Sequence, residues 1–418
     1  MTSLLAIGDI HLGRSPAALH SDLQAQRTEL GPEAAWSRCV NEALERGVDG
    51  VLLAGDVVER SRDLLVAYGD LKQGIDRLAA AGIPVMAVAG NHDTLVLPRL
   101  AAEIESLHLL GAGGRWEEKS VGKLRVLGWS FPRPHVRHNP LRDLPPIDRP
   151  ERVVGLLHCD RDQSDSPYAP VTSQELRATR TAAWLLGHIH QPDQLDGERP
   201  VGYLGSVSAL RASDIGPRGP WLIEWREGRV SATHLPLAPL RFDRLEVNLE
   251  PLRAPDEIAE AVLAASRCHV EALADQAFVP DVIGLRLRLT GRCRFEQALA
   301  GVAEDLVTAS RPWKEGSVRL FVQKVLIATE AATDLERLAR QDDPCGLLAR
   351  RILILSDSAH PELEALIQRA RPRLADAAGQ KEFRELETNM DDERVRRWLL
   401  QAARAGLSAL LGQKQGAS

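Results

Sequence analysis

Cysteine is scarce in this sequence of 418 residues. The five, Cys39, Cys159, Cys268, Cys293 and Cys345, are scattered and odd in number, and no two form a C-x-x-C pair. That argues against a disulfide framework or a zinc ribbon and fits a reducing compartment. Lysine is nearly as rare: only seven of the 52 basic residues are Lys, and the rest are Arg. Arg suits bidentate phosphate contacts, although a compositional habit of the source genome is the simpler account. Positive charge is not in excess either, the net charge being −6. The chain as a whole therefore does not advertise nucleic acid or an anionic membrane. Any DNA-binding surface has to be local, or has to draw positive charge from metal ions or a partner. No apolar run approaches the roughly 20 residues that a bilayer span needs. Met1 to Gly13 has no basic n-region and reaches an Asp at position 9, so it does not read as a signal peptide. A cytoplasmic protein with no membrane association is expected. The chain has no internal repeat, no low-complexity tract and no G-x-x-x-x-G-K-[ST] phosphate loop, so it does not itself supply the usual ATP-driven motor.

What is present is ordinary for a globular protein: 44% hydrophobic and 26% charged residues, over a length that suits two or three domains. The first part alternates strands and helices. Short apolar strands are expected at Leu4–Ile7, Gly50–Ala54 and Pro84–Ala89, with helices at Glu33–Arg46 and Leu64–Ala81 between them. Further strands read at Leu124–Trp129, Val153–Leu157, Ala182–Leu186, Val201–Leu204 and Trp221–Trp225. Pro132 to Pro150, dense in Pro, Arg and His, and Asp160 to Thr172 read as loops. After two prolines near position 240 a βαβαβ run follows: Phe242–Leu249, Pro255–Leu273, Val282–Thr290, Phe295–Ala309 and Ser317–Ala328. From Asp334 onward the pattern is only helical. Val395 to Leu411 is amphipathic, and its apolar face more simply packs on its own domain than on a partner.

Five strand ends carry chemistry. Gly8-Asp9-Ile10-His11 places Asp9 and His11 two apart, on one side of an extended segment, where they can grip one cation. Gly55-Asp56 puts a carboxylate at the end of a buried strand, where α/β folds place ligands, and its two oxygens can bridge two metals. In Gly90-Asn91-His92-Asp93 the glycine allows a sharp exit from the strand, and Asn91 offers a carbonyl oxygen. His92 can serve as a proton donor beside the metals, and Asp93 can fix the tautomer of that histidine. His158 ends Leu156-Leu157, and Gly187-His188-Ile189-His190 closes the set. Alone, each has a plainer reading: a chance D-x-H, a helix cap, a core or rim histidine. Together they favour a binuclear metal site, because a buried cluster of carboxylates and imidazoles without a cation carries a heavy desolvation cost. Mixed Asp, Asn and His ligation suits Mn²⁺ first, with Mg²⁺, Fe²⁺ or Zn²⁺ as alternatives.

The ordered set D-x-H, G-D, G-N-H-D, H and G-H-x-H resembles the calcineurin-like metallophosphoesterase superfamily. Within it, Gly8 to Gly13 looks like the opening of SbcD-type DNA repair exonucleases, and Tyr168-Ala169-Pro170-Val171-Thr172 and Leu186 to Gln191 look like their YhaO-type branch. The resemblance implies a four-layer α/β sandwich, two mixed sheets flanked by helices, over residues 1–240. It implies a DNA-binding capping domain over 241–330 and a helical, partner-docking region over 331–418. Asp9, His11, Asp56 and His190 would hold one metal, and Asp56, Asn91, His158 and His188 the other, with Asp56 and a water or hydroxide bridging. His92 would be the catalytic histidine that binds no metal. The expected activity is Mn²⁺-dependent DNA hydrolysis, by exonuclease and also endonuclease action, in double-strand-break or recombination repair. The expected partners are DNA ends, single- or double-stranded, and an SMC-like coiled-coil ATPase, with a homodimer also open. Two other readings are a phosphodiesterase of nucleotides or small esters, and a DNA-end-binding scaffold subunit. The loop Asp160 to Ser166, with its three Asp, departs from the familiar pattern and leaves the substrate contacts open.

Overall fold

The computed structural model describes residues 1–274, 276, 278–331, 335–378 and 391–416. In chain order the first elements are β1 (Thr2–Ile7), α1 (Pro32–Arg46), β2 (Gly50–Leu53), α2 (Leu64–Ala80), β3 (Val85–Ala87), α3 (Leu97–Glu103) and β4 (Leu107–Leu109). Next come β5 (Trp116–Val121), β6 (Leu124–Trp129), β7 (Val153–His158), α4 (Ser173–Ala178), β8 (Ala183–Gly187), β9 (Val201–Tyr203), β10 (Trp221–Arg226) and β11 (Arg229–His234). These strands build two sheets, ordered β11-β10-β1-β2-β3-β4 and β5-β6-β7-β8-β9. Both are mixed. β1 to β4 run parallel with β10 and β11 added antiparallel, and β6 to β9 run parallel with β5 antiparallel at the edge.

The layering follows from the period-two alternation of side chains along a strand. Leu5 and Ile7 of β1, with Val51 and Leu53 of β2, pack under α1, α2 and α3 through Trp36, Val40, Leu71, Ile75 and Leu97. The alternate residues Leu4, Ala6, Leu52 and Met86 face the second sheet, meeting Val126, Val154, Leu156 and Leu185. The far side of that sheet carries Trp129, Leu157, Trp184 and Leu186 against Leu176 of α4 and the loop residues Val136, Ala169 and Val171. The result is helix, sheet, sheet, then α4 with loops: the expected α/β sandwich.

The later elements are β12 (Leu240–Asn248), α5 (Glu257–Ala274), β13 (Val282–Thr290), β14 (Arg292–Cys293), α6 (Glu296–Thr308), β15 (Trp313–Glu315), β16 (Val318–Ile327) and β17 (Glu330–Ala331). The expected βαβαβ run is present, and its strands form a sheet ordered β12-β13-β16-β15. Among the described residues four helices follow: α7 (Leu335–Ala339), α8 (Pro344–Ser356), α9 (Leu363–Ala378) and α10 (Asp392–Gly416).

The chain divides into two compact units. One comprises Met1–Leu245, Ser266–Leu287 and Ser310–Lys324, and the other Glu246–Ala265, Arg288–Ala309 and Val325–Ser418. In the second, Leu407 of α10 is buried with Cys345, Ala349 and Ile352 of α8, so the apolar face of the last helix packs within its own unit. Among the described residues no helix is long and apolar enough to cross a membrane.

Candidate metal centre

The parallel strands β1, β2, β3, β7 and β8 deliver their C-terminal ends to one place, and each of the five sequence motifs begins there. The turns that follow are strained. Asp9, His11, Asp56 and His188 all sit at positive φ, at 43°, 56°, 48° and 103°. Non-glycine residues rarely adopt that conformation, and such outliers gather where function demands them. The glycines serve mainly to let backbones approach. A Cβ on Gly187 would lie 2.0 Å from the Ala54 carbonyl oxygen, and one on Gly90 would lie 2.2 Å from Asp56 Oδ1. Gly90 is thus required for space beside Asp56 rather than for a left-handed turn.

The seven expected ligands come together in two facing groups. In the first, His11 Nε2 and His190 Nε2 are 3.2 Å apart, and Asp9 offers a carboxylate oxygen within 4.8 Å of both. In the second, His158 Nε2 and His188 Nδ1 are 3.3 Å apart, and the Asn91 side-chain oxygen lies 3.0 Å and 3.1 Å from them. Asp56 stands between the groups: its Oδ2 is 3.4 Å from His158 Nε2 and 3.9 Å from His11 Nε2. Its Oδ1 accepts the His92 N–H at 2.9 Å.

The ring orientations are set from outside the cluster. His158 Nδ1 lies 3.0 Å from the Ala54 carbonyl, which can only accept, so the proton sits on Nδ1 and the Nε2 lone pair points inward. His11 Nδ1 lies 2.8 Å from Glu59 Oε2, and His188 Nε2 lies 3.2 Å from Asp160 Oδ1. The inward nitrogens of His11, His158 and His188 are therefore lone pairs aimed at another ring nitrogen or at an acceptor oxygen. Buried acceptors that face one another need a cation between them. Oxygen and imidazole donors in this arrangement, each of these three histidines backed by a carboxylate or carbonyl, fit a pair of divalent ions.

Residues 2–192 match the family model for calcineurin-like phosphoesterases. The chain carries a calcineurin-like phosphoesterase domain. Residues 242–330 match the family model described as the middle domain of the metallophosphoesterase YhaO. An uncharacterized metallophosphoesterase YhaO of Bacillus subtilis is 31% identical over 208 residues, 47% of this chain and 50% of that protein. A DNA double-strand break repair protein Mre11 of Haloferax volcanii is 31% identical over 274 residues, 63% of this chain and 57% of that protein. A third relative, a DNA double-strand break repair protein Mre11 of Aeropyrum pernix, is 29% identical over 52% of this chain and 56% of its own. The chain thus spans between 50% and 57% of the length of these curated relatives.

Electrostatics in the phosphoesterase domain are consistent with cation binding. Burial, then repulsion from Asp56, pushes the Asp9 carboxyl well above the usual range and raises Asp93 to about 7. Burial opposes ionisation of Asp56 too, but His158, His11 and His92 hold it below the ordinary value. Burial also pushes His158 down to about 4 and His190 to about 3, so both imidazoles are neutral near pH 7, as metal ligation requires. The hydrogen bond to His11 holds Glu59 down at about 2.

One expected contact is not the one observed. Asp93 does not hold the His92 ring. Its Oδ1 accepts the Gly90 N–H at 2.8 Å and its Oδ2 the Val57 N–H at 2.7 Å, so it ties the β2 and β3 turns together. The His92 ring, exposed at the rim, instead has Nδ1 3.1 Å from the Glu59 carbonyl. Sequence reading also missed Glu59 and Asp160. Asp160 follows His158 by two residues in the loop whose role was open, and that proximity was the only signal. Arg218 was missed as well. Its buried guanidinium donates to the His190 carbonyl and, at 2.8 Å, to Gln191 Oε1, which fixes the turn that presents His190.

Proposed function

We propose that this protein is a metal-dependent DNA nuclease subunit acting in break or recombination repair. The observation that carries the chemistry is the pair of inward-facing imidazole couples with Asp56 between them. Asp9, His11, Asp56 and His190 would hold one divalent ion, and Asp56, Asn91, His158 and His188 the other, with Mn²⁺ the favoured metal. Two bound divalent ions supply a clamp for a phosphodiester and a lowered pKa for water. The protein's own part is orientation and proton handling. Ala54, Glu59 and Asp160 keep the ligand nitrogens unprotonated on their inner side. His92 binds its Nδ1 proton to the Glu59 carbonyl and so presents Nε2 outward, where its imidazolium form can pass a proton to a departing oxygen. DNA as substrate is favoured by the names of the Mre11 relatives and by the match of residues 242–330 to the YhaO middle domain.

In this reading residues 1–240 form the nuclease domain, 241–330 the capping and DNA-binding domain, and 331–418 the region that docks a coiled-coil ATPase. The test is hydrolysis of labelled single- and double-stranded DNA, a cyclic nucleotide and bis(p-nitrophenyl) phosphate, each with Mn²⁺ and with EDTA. Mn²⁺-dependent DNA cleavage is expected. Turnover of the small esters without any DNA cleavage would replace DNA by a small phosphoester as substrate. No turnover of anything would remove the hydrolase reading.

A further inference from the structure

Between β6 and β7 the chain carries Arg133, His135, Arg137, His138 and Arg142 within ten residues, with no acid before Asp143. The hydrolytic machinery described above uses none of them. Yet this loop is fastened to the metal centre. The Phe131 ring meets the His158 ring edge-on at 5.7 Å. Val136 N–H donates to the Pro167 carbonyl and Ala169 N–H to the Val136 carbonyl, both at 2.7 Å, which joins the loop to the segment after His158. Between those two bonds Tyr168 reaches inward. Its ring lies 4.8 Å from the His188 ring, and the exposed His135 ring lies 5.7 Å from Tyr168, tilted by only 33°. A line of rings, His188, Tyr168 and His135, therefore leads outward from the candidate ligands.

The same two loops line a pocket of about 440 Å³, whose walls include Arg137, His138 and Arg142. That volume falls in the range of roughly 300–1,000 Å³ that suits small ligands or single recognition units. Two carboxylates also line it, but both are already committed. Asp162 accepts from the N–H and hydroxyl of Ser173 at 2.7 and 2.5 Å. Glu175 accepts from Thr172 N–H and hydroxyl and from Asn139 Nδ2, at 2.9, 2.7 and 2.9 Å. Arg142 has Glu175 in electrostatic reach. Among the described residues neither Arg133 nor Arg137 has a carboxylate within 4.0 Å. Arg137, with no carboxylate partner among the described residues, shares the pocket lining with Arg142, and paired guanidinium forks favour a phosphate through bidentate contact.

We propose that this pocket is a strand-binding subsite for a single-stranded nucleic acid. Arg137, His138 and Arg142 take a backbone phosphate of the strand whose scissile bond lies at the metal centre. The exposed ring of His135 supplies a face on which an intervening base stacks, a recognition mode indifferent to sequence. The subsite also supplies the local basic surface that a chain of net charge −6 needs in order to hold DNA. The inference rests on the phosphodiesterase reading and fills in its substrate side.

The test measures binding without chemistry: fluorescence anisotropy of a labelled single-stranded oligonucleotide on the full chain in EDTA, over a series of salt concentrations. Arg137→Ala with Arg142→Ala should weaken binding by about tenfold and reduce the slope of log Kd against log salt by roughly 0.7 for each phosphate left without a basic partner. Arg137→Lys with Arg142→Lys keeps the charge and should retain the slope. An unchanged affinity and slope in the alanine variant overturn the proposal. Displacement of the strand by adenosine monophosphate at equal concentration also overturns it, marking a mononucleotide pocket instead. Should the double variant not fold, Arg137→Ala alone carries the same comparison. Because the assay contains no metal, a failed Mn²⁺ cleavage assay and a failed binding assay are separate results.

Discussion

Removing divalent metal from the protein and returning it should shift the melting temperature by an amount that depends on pH. His158 and His190 are already neutral near pH 7, because burial holds them at about 4 and about 3, so they lose no proton when metal binds. Asp9 differs. Burial and Asp56 raise its carboxyl well above the ordinary range, so in the metal-free fold it binds a proton more tightly than in the unfolded chain. A raised carboxyl stabilises the fold at low pH, and that contribution fades as pH rises through the folded value. Metal has to displace this proton, so affinity should fall about tenfold for each pH unit below that value, or about 1.4 kcal/mol. At a metal concentration about 100 times Kd at pH 7, mass action stabilises the fold by about 2.7 kcal/mol. For a unit of this size each kcal/mol is worth about 2–4 °C, so the expected gain is about 5–10 °C at pH 7. As the pH is lowered through the raised Asp9 value at the same Mn²⁺ concentration, the gain should shrink towards zero. Differential scanning calorimetry over a series of pH values from 7 down to about 4.5, for wild type and Asp56→Asn, measures this directly. A gain of equal size across the whole series would refute the role given to Asp9. A full gain in Asp56→Asn would refute the shared carboxylate.

Further outcomes follow from individual contacts. His92→Asn should lose roughly 10²–10⁴ in kcat on DNA while keeping the Mn²⁺-induced rise in melting temperature, because the ring handles a proton and holds no metal; an equal loss of both would make His92 a ligand. Glu59→Gln and Asp160→Asn should each weaken Mn²⁺ affinity by about 10–100-fold, read by metal titration of the melting temperature, because each orients a ligand imidazole. Asp243 is buried, with His269 Nε2 at 2.8 Å and Arg241 Nε at 2.7 Å. Burial opposes its ionisation, but these partners hold its carboxyl below the ordinary value of 3.8. Its stabilisation is therefore present above pH 4 and lost as pH falls further. Asp243→Asn should cost roughly 1.5–3 kcal/mol at pH 7 by urea titration, with the difference closing in acid.

The strands that end in the metal centre were legible because each is a short apolar run, buried on both faces and cut off by Gly-Asp, Gly-Asn or His. The edge strands β5 and β11 were not. β5 reads Trp-Glu-Glu-Lys-Ser-Val and β11 reads Arg-Val-Ser-Ala-Thr-His, and a strand with one face in water offers few apolar residues to notice. The ligand types were legible from motif spacing, but their orienting partners were not. Glu59 reaches His11 only because the chain past Asp56 bridges Leu12 to Val58, a pairing of two turns that no local pattern announces. Asp93 was misjudged for a related reason. Adjacency in sequence suggests adjacency of side chains, whereas the turn sends Asp93 inward to backbone amides and leaves His92 at the rim. The positive φ of Asp9, His11, Asp56 and His188 was equally hidden, because residue type alone argues against it.

Those four strained positions set stability and activity against each other. A non-glycine residue held in such a conformation costs of order 1–3 kcal/mol, and glycine at the same place would relax the backbone while deleting the ligand. Random drift or stability-driven engineering therefore has an easy downhill route through the site, towards sturdier proteins that do nothing. A library of this chain selected for heat resistance alone should accumulate glycine at positions 9, 11, 56 and 188, whereas one selected for cleavage should keep all four and find its stability elsewhere.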